Sequence, residues 1–498
     1  MDELRTRKMK IMKRRKRQAS RRGVALLMVL GAITVLTVFL TELQQETSAG
    51  FAAALADRDA LQAEYLAKSA VNLSRLLIAS EPQIRTGLGP MGAMIPFKQL
   101  PVWEFTDVAL GPFNDEAGMS AFAGMLSVDT ATGKGLGLTN GRFEVKIVDE
   151  DSKININRAS PISDVDLERQ LVSLMQGPQN APLFEGRDLD NQFSDMNTVC
   201  GAITDWADQD ENVSTCYVGA QAQAAAGAED NFYQMIGLEY RRKNAAYDSL
   251  QELRLVRGMS DDFWSTFVDP NPDDPKSRVL TVWGQKAINV NSANPQILLS
   301  AACSVCAGGI AAAGSSATQG IALCTDPLIQ AQFVSLLGIL RTFPIPIFTK
   351  PADFPNLLKT GNIGGPLGSV IGPMLAPLMA QAGLPCGLTA GANKQFTVTS
   401  RVFSIYADGV VPGRKRTTRV RVHAVVDTRA SNPLTGGPNP TNGHDDLHRF
   451  CWFVRSSRSH CRRPDCAHEF EPHGQSRLLS YRVTKGFHYV QNSRNRYW

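Results

Sequence analysis

Asp205, Asp208, Asp210 and Glu211 place four carboxylates within seven consecutive residues. Like charges at that density repel one another unless a cation or solvent relieves them. Hard oxygen donors close together suit calcium; a solvated acidic loop is the alternative. The Asp-x-Asp-x-Asp-Gly spacing of an EF-hand is missing, so any site here is of another kind. Cys200 and Cys216 bracket the loop. A bridge between them would restrict the unfolded chain by about 3 kcal/mol and hold the carboxylates near one another. The other reading is two separate buried thiols.

The remaining body cysteines are Cys303, Cys306, Cys324 and Cys386. Cys303-Ser-Val-Cys306 could open a zinc site completed by Cys324 and Cys386, but the second two are not a Cys-x-x-Cys pair. An even number of body cysteines behind an apolar N-terminal segment fits disulfides in an oxidising compartment. Six of the seven histidines fall after residue 443. His423 stands alone before them, on the polar face of a predicted strand, and is expected at the surface. No nucleophile elbow, Gly-rich phosphate loop or metalloprotease helix is present in the sequence, so it is read as a non-enzyme needing no organic cofactor.

Charge is unevenly spread. The whole chain carries +5, of which residues 1–22 hold +9 and residues 433–498 hold +5, leaving −9 on the body. Nucleic-acid binding needs positive charge on the folded body, and this body is acidic. The basic N-terminus suits a membrane topology signal, which stays in the cytoplasm and sends the rest out.

The elements that would position these residues can be read along the chain. Residues 24–40, VALLMVLGAITVLTVFL, hold no charge and are just long enough to span a bilayer. A secretory signal would show a small-residue cleavage site soon afterwards, and TELQQE follows instead. From Thr41 to Ser80 there is no proline, and Ala, Leu, Gln and Glu dominate; all are good helix formers. Leu55, Ala63, Leu66, Ala70, Leu73 and Leu77 suggest one apolar face. One helix is therefore expected from Val24 to about Ser80, on the order of 85 Å long. Downstream, GRFEVKIVDEDSKININ (141–157) reads as a strand, an acidic turn and a second short strand. KQFTVTSRVFSIYADG (394–409) and RKRTTRVRVHAVVD (414–427) read as a hairpin with one buried face, Val420, Val422, Ala424 and Val426 pointing inward. Roughly 240 mostly helical residues split this sheet.

A basic leader ending at Gly23, an apolar start and a long amphipathic helix resemble the type IV prepilins and pseudopilins. That resemblance implies that a prepilin peptidase cuts after Gly23 and that the new N-terminus, Val24, is N-methylated. Most members of that family carry glutamate at the fifth mature position; here it is Met28. The family glutamate is thought to pair with the N-terminal amine of the subunit above, and a carboxylate in a lipid-like setting is costly without such a partner. A subunit with no neighbour above is better served by an apolar residue, so Met28 points to a filament tip.

Four later segments, in order, resemble the minor pseudopilin K family of type II secretion systems. They are Asp205-Trp206-Ala207-Asp208-Gln209-Asp210, Gly227-Ala228-Glu229, Ser249 to Met259, and Ile288 to Leu298. The resemblance covers about residues 21–300 and 394–427. It implies an α+β, type IV pilin-like fold: a long N-terminal transmembrane and amphipathic helix, a small antiparallel sheet and a large inserted helical domain. It implies structural calcium, with Asp208, Asp210, Glu211 and Glu229 as the expected ligands. It implies a single-pass bacterial inner-membrane precursor with a cytoplasmic N-terminus and a periplasmic body, later seated at the pseudopilus tip. The expected partners are other minor pseudopilins in a tip complex, prepilin peptidase, the inner membrane, and the secretion channel or cargo, with no nucleic acid.

SLQELRLVRGM and INVNSANPQILLSA also look like helix-hairpin-helix pieces, whose Gly-rich hairpin amides hold DNA phosphates. An exported, membrane-anchored DNA-binding or uptake protein is the rival reading. Only Gly258 is present, without a second glycine two residues on. The chain is thus expected to divide into a leader (1–23), the long helix (24–80, with 24–40 in the membrane), a first pilin-like region (81–157) and a helical insert (158–300). A Gly/Ala/Pro-rich insertion (301–393), a closing hairpin (394–430) and an atypical tail (431–498), read as out of frame or disordered, complete it.

Overall fold

The computed structural model describes residues 2–87, 99–114, 141–162, 164–188, 191–214, 216, 225–228, 231–307, 321–341, 346–361, 376–377, 379–382, 384–413 and 416–429. The tail expected from residue 431 lies outside the described residues. Nine elements carry the architecture: α1 (Asp2–Ala79), β1 (Arg142–Asp149), α2 (Val165–Met175), α3 (Met196–Asp205), α4 (Pro295–Val305), α5 (Pro327–Arg341), α6 (Asp353–Thr360), β2 (Val402–Pro412) and β3 (Thr417–Asp427).

Helix α1 is longer than expected. It spans 78 residues, about 120 Å at 1.5 Å per residue, and it starts at Asp2 instead of Val24. The leader is rich in Arg, Lys and Met and has no proline, so nothing in it stops a helix, and Gly23 alone does not break one. From Val24 onward the helix is long and apolar enough to cross a membrane, and its apolar window is wholly exposed. That is consistent with a single-pass anchor. Further along, Ala63, Leu66, Ala67, Ala70, Val71, Ser74 and Ile78 turn inward and are buried, with Leu73 and Leu77 half-buried beside them.

These residues pack on a three-stranded antiparallel sheet of order β1-β2-β3. In its middle Ile147 stands opposite Ile405, and Ile405 opposite Ala424. With Phe143, Phe403, Val422, Val426 and Trp103 they form the core under α1, each large buried side chain contributing roughly 1.5–3 kcal/mol. Gly409 on β2 sets the closeness of approach. A Cβ there would lie only 1.8 Å from the Ala63 carbonyl oxygen, so any side chain at this residue would force helix and strand apart.

The helical domain leaves the sheet after β1 and returns before β2. Pairs of two-residue parallel strands pin it: Ile154–Asn155 with Leu280–Thr281, and Ile288–Asn289 with Phe396–Thr397. The expected second short strand after β1 therefore belongs to the helical domain, not to the sheet. A 3-10 turn at Glu150–Ser152 redirects the chain there, fixed by Asp149 accepting from the Asp151 amide. Helix starts carry side-chain caps at Asp164, Asp195 and Asn294, which satisfy otherwise orphaned amides. No domain limit falls at 300/301: α4 runs through that position, and Phe333, Phe348 and Phe354 share one core with Leu167, Ile203 and Leu298. The Gly, Ala and Pro content of 302–393 hides these few large anchors.

Candidate metal centre and domain junction

Helix α3 delivers the acidic loop. Its last residue, Asp205, is buried and accepts from the Ser214 amide at 2.8 Å, and burial above all pushes its carboxyl up to about 7. Trp206 turns inward among Tyr233, Tyr240 and Tyr247, with ring centroids 6.1, 6.3 and 6.4 Å away, and the Tyr247 hydroxyl donates to the Ile203 carbonyl at 2.8 Å. This aromatic packing fixes the loop's inner wall.

Asp208 is fully buried, its amide held by the Thr204 carbonyl at 3.1 Å. Neither of its carboxylate oxygens has a hydrogen-bond partner among the described residues. Burial pushes it up to about 7, the charges of Asp210 and Glu168 add to the rise, and Arg242 opposes it. A buried carboxylate without donors is costly, and a cation or a proton is what relieves it. Asp210 is half-buried and accepts from the Asn212 amide at 2.8 Å. Glu211 is exposed. Glu229 lies outside the described residues; its neighbour Ala228 pairs with Asn212 across a short antiparallel ladder. Among the described residues no three acidic, histidine or cysteine side chains converge into a metal cage. Asp208, whose two carboxylate oxygens have no partner among the described residues, is the group whose chemistry suits a hard cation. Glu168 was missed by the sequence reading. It comes from α2, and no spacing in the sequence links it to the loop.

Cys200 and Cys216 are bridged across this loop. The other four body cysteines form two more bridges, Cys303–Cys324 and Cys306–Cys386. Sulfurs bonded to one another cannot be zinc thiolates, which removes the zinc alternative. Gly258, the hairpin glycine, has φ +80°, and a Cβ there would meet Val199 Cγ2 at 2.6 Å. Its backbone packs on α3.

The acidic turn read after β1 is buried: Asp149 to Lys153 lie where sheet and helical domain meet. Asp149 accepts from the Asp151 amide at 2.9 Å and from the Ser292 and Ser400 hydroxyls. Asp151 accepts from the amides of Gln285, Arg401 and Val402 at 2.7, 2.6 and 3.1 Å. Glu150 pairs with Lys153 at 3.2 Å and accepts from Thr281 at 2.6 Å. Burial alone would raise Glu150, but Lys153 and its hydroxyl donors outweigh it and leave it below its ordinary value. His423 is not the surface residue expected. It is half-buried and stacks on Tyr406 at 4.3 Å; burial holds it down to about 4, so it is neutral at neutral pH.

Residues 152–267, which contain α2, α3 and the acidic loop, match the family model for type II secretion system protein K. This stretch is similar to protein K of type II secretion systems. Among solved structures the chain is similar to the GspK-GspI-GspJ complex of the type II secretion system of enterotoxigenic Escherichia coli, with 14% identity and a TM-score of 0.34. That likeness covers 58% of this chain and 76% of the other. No curated protein matches the sequence. The protein K match begins inside the buried junction, at Ser152, and runs past the acidic loop to Phe267.

Proposed function

We propose that this chain is a minor pseudopilin that caps the tip of a type II secretion pseudopilus and helps to start its assembly. The observation that carries the reading is Met28, exposed on the apolar part of α1, where a filament subunit with a neighbour above it would need a carboxylate. The match of residues 152–267 to protein K supports the secretion system, and the position of that stretch between β1 and β2 puts a large body beside the sheet that would obstruct further stacking.

On this reading α1 sits in the inner membrane with its basic leader in the cytoplasm. Prepilin peptidase removes residues up to Gly23 and Val24 is N-methylated. Other minor pseudopilins dock along α1, and the helical domain meets the secretion channel or cargo. Neither nucleic acid nor catalysis has a part. Calcium, when bound, supplies the positive charge that the loop lacks; Asp208, with Asp205 and Asp210, would hold it. Trp206 and the Cys200–Cys216 bridge keep those side chains in place.

Mass spectrometry of the mature N-terminus tests the reading. A methylated chain starting at Val24 is expected. A chain starting near Gly50 would mean ordinary secretion, and an uncut chain a fixed anchor; either overturns the proposal. Met28→Glu should bring no gain in secretion and should disturb where the subunit sits.

A further inference from the structure

We propose that this chain requires a thiol–disulfide isomerase as a folding partner, because the bridge that its last four body cysteines can form first, Cys303–Cys306, is not one of its native bridges. The inference rests on the proposed export to an oxidising compartment. Its structural basis is the pairing pattern. In chain order the four cysteines are Cys303, Cys306, Cys324 and Cys386, and the native bonds interleave: the first joins the third, and the second joins the fourth.

Chain order decides what meets first. Cys303 lies in the last turn of α4 and Cys306 caps it, and in chain order both reach the oxidising side before either native partner. Cys-x-x-Cys spacing is short enough to close on itself, as dithiol redox motifs do. The native alternatives span 21 and 80 residues, and the cost of closing a loop rises with its length. Cys200–Cys216 differs. Its partners are successive in the sequence and 16 residues apart, so oxidation alone suffices, and it serves as an internal control.

Correction must precede the closing of the core. In the folded chain Cys303, Cys306 and Cys324 are at most 3% exposed and Cys386 is 7% exposed, so no outside thiolate reaches them. Backbone bonds then seal the second bridge: the Ala307 amide donates to the Gly387 carbonyl at 2.7 Å and the Thr389 amide to the Val305 carbonyl at 2.8 Å.

The steps balance by exchange. An isomerase thiolate attacks Cys303 Sγ in the Cys303–Cys306 bond and releases the Cys306 thiolate. The Cys324 thiolate attacks the mixed disulfide at Cys303 Sγ, forming Cys303–Cys324 and returning the isomerase thiolate, with no net oxidation. Cys306 and Cys386 then exchange with a disulfide-carrying oxidase, which takes up their two electrons and two protons and ends as a dithiol.

The test is oxidative refolding of the reduced full chain in detergent with oxidised glutathione, with and without a purified thiol–disulfide isomerase, read by alkylation and peptide mass mapping. Without the isomerase, the Cys303–Cys306 bridge should accumulate and the native pair should fall several-fold, while Cys200–Cys216 forms equally in both. Equal yields of Cys303–Cys324 and Cys306–Cys386 in both arms would overturn the proposal. The variant C306S/C386S leaves Cys303 and Cys324 without the close rival; their bridge should then form independently of the isomerase, and continued dependence would also overturn the proposal. Thiol labelling of the chain in intact cells separates the two levels. Free body cysteines there would refute export, whereas the refolding arms judge isomerase dependence by themselves.

Discussion

Asp149 and Asp208 are both buried carboxylates, and burial pushes both up to about 7. Their surroundings differ. Asp149 at the junction receives an amide and two hydroxyls. Asp208 in the acidic loop receives no hydrogen bond from any described residue. A raised carboxyl therefore does not by itself separate a structural acid from a ligand; the inventory of donors does. The junction is closed on itself and joins two bodies. The loop gives Asp208 no donor among the described residues.

The largest effect expected from breaking this contrast is at the junction. Lys153→Met leaves Glu150 buried without its cation, which should cost roughly 3–5 kcal/mol in urea unfolding. The double variant K153M/E150Q should recover part of the loss. If K153M is neutral, the junction is not the closed network described.

A smaller effect is expected at the loop. Calcium at a hundredfold excess over its Kd should stabilise the wild-type chain by about 2.7 kcal/mol, and Asp208→Asn should abolish that gain without lowering stability in chelator. Thermal melts in calcium and in chelator check both. A calcium response that survives in Asp208→Asn would move the site elsewhere.

The smallest effect concerns His423, which faces Glu150, Arg278, Lys153 and Arg421. Its folded value of about 4 lies below the ordinary 6.5. Its contribution is therefore complete above pH 6.5 and is lost as pH falls towards 4. His423→Phe should leave stability at pH 7 almost unchanged and flatten the decline in acid. Denaturant midpoints across that range measure it, and parallel curves would contradict the neutral, half-buried imidazole.

What was legible in the sequence follows the range of the interactions. Helix α1 could be read because propensity and an apolar face are local, and Ala63, Leu66 and Ala70 do face the sheet. Strand β3 could be read because Val420, Val422 and Ala424 alternate with Arg419, Arg421 and His423. The partner of Ile154 could not, since Leu280 lies far along the chain and a two-residue strand leaves no periodicity. The burial of Asp149 to Lys153 was hidden because charged residues after a strand look like a turn, and their donors come from Gln285, Ser292 and Ser400. In the candidate site Asp208 stood out by crowding, whereas Glu168 reaches it only through the packing of α2 beside α3. The interleaved bridges of Cys303 and Cys306 were hidden too, because spacing does not determine pairing.

The most direct measurement is localisation of this chain in assembled pseudopili by cryo-electron microscopy, with a label on the helical domain. The account predicts one copy at a single end of each fibre. Copies repeated along the shaft, or fibres without any, would contradict it.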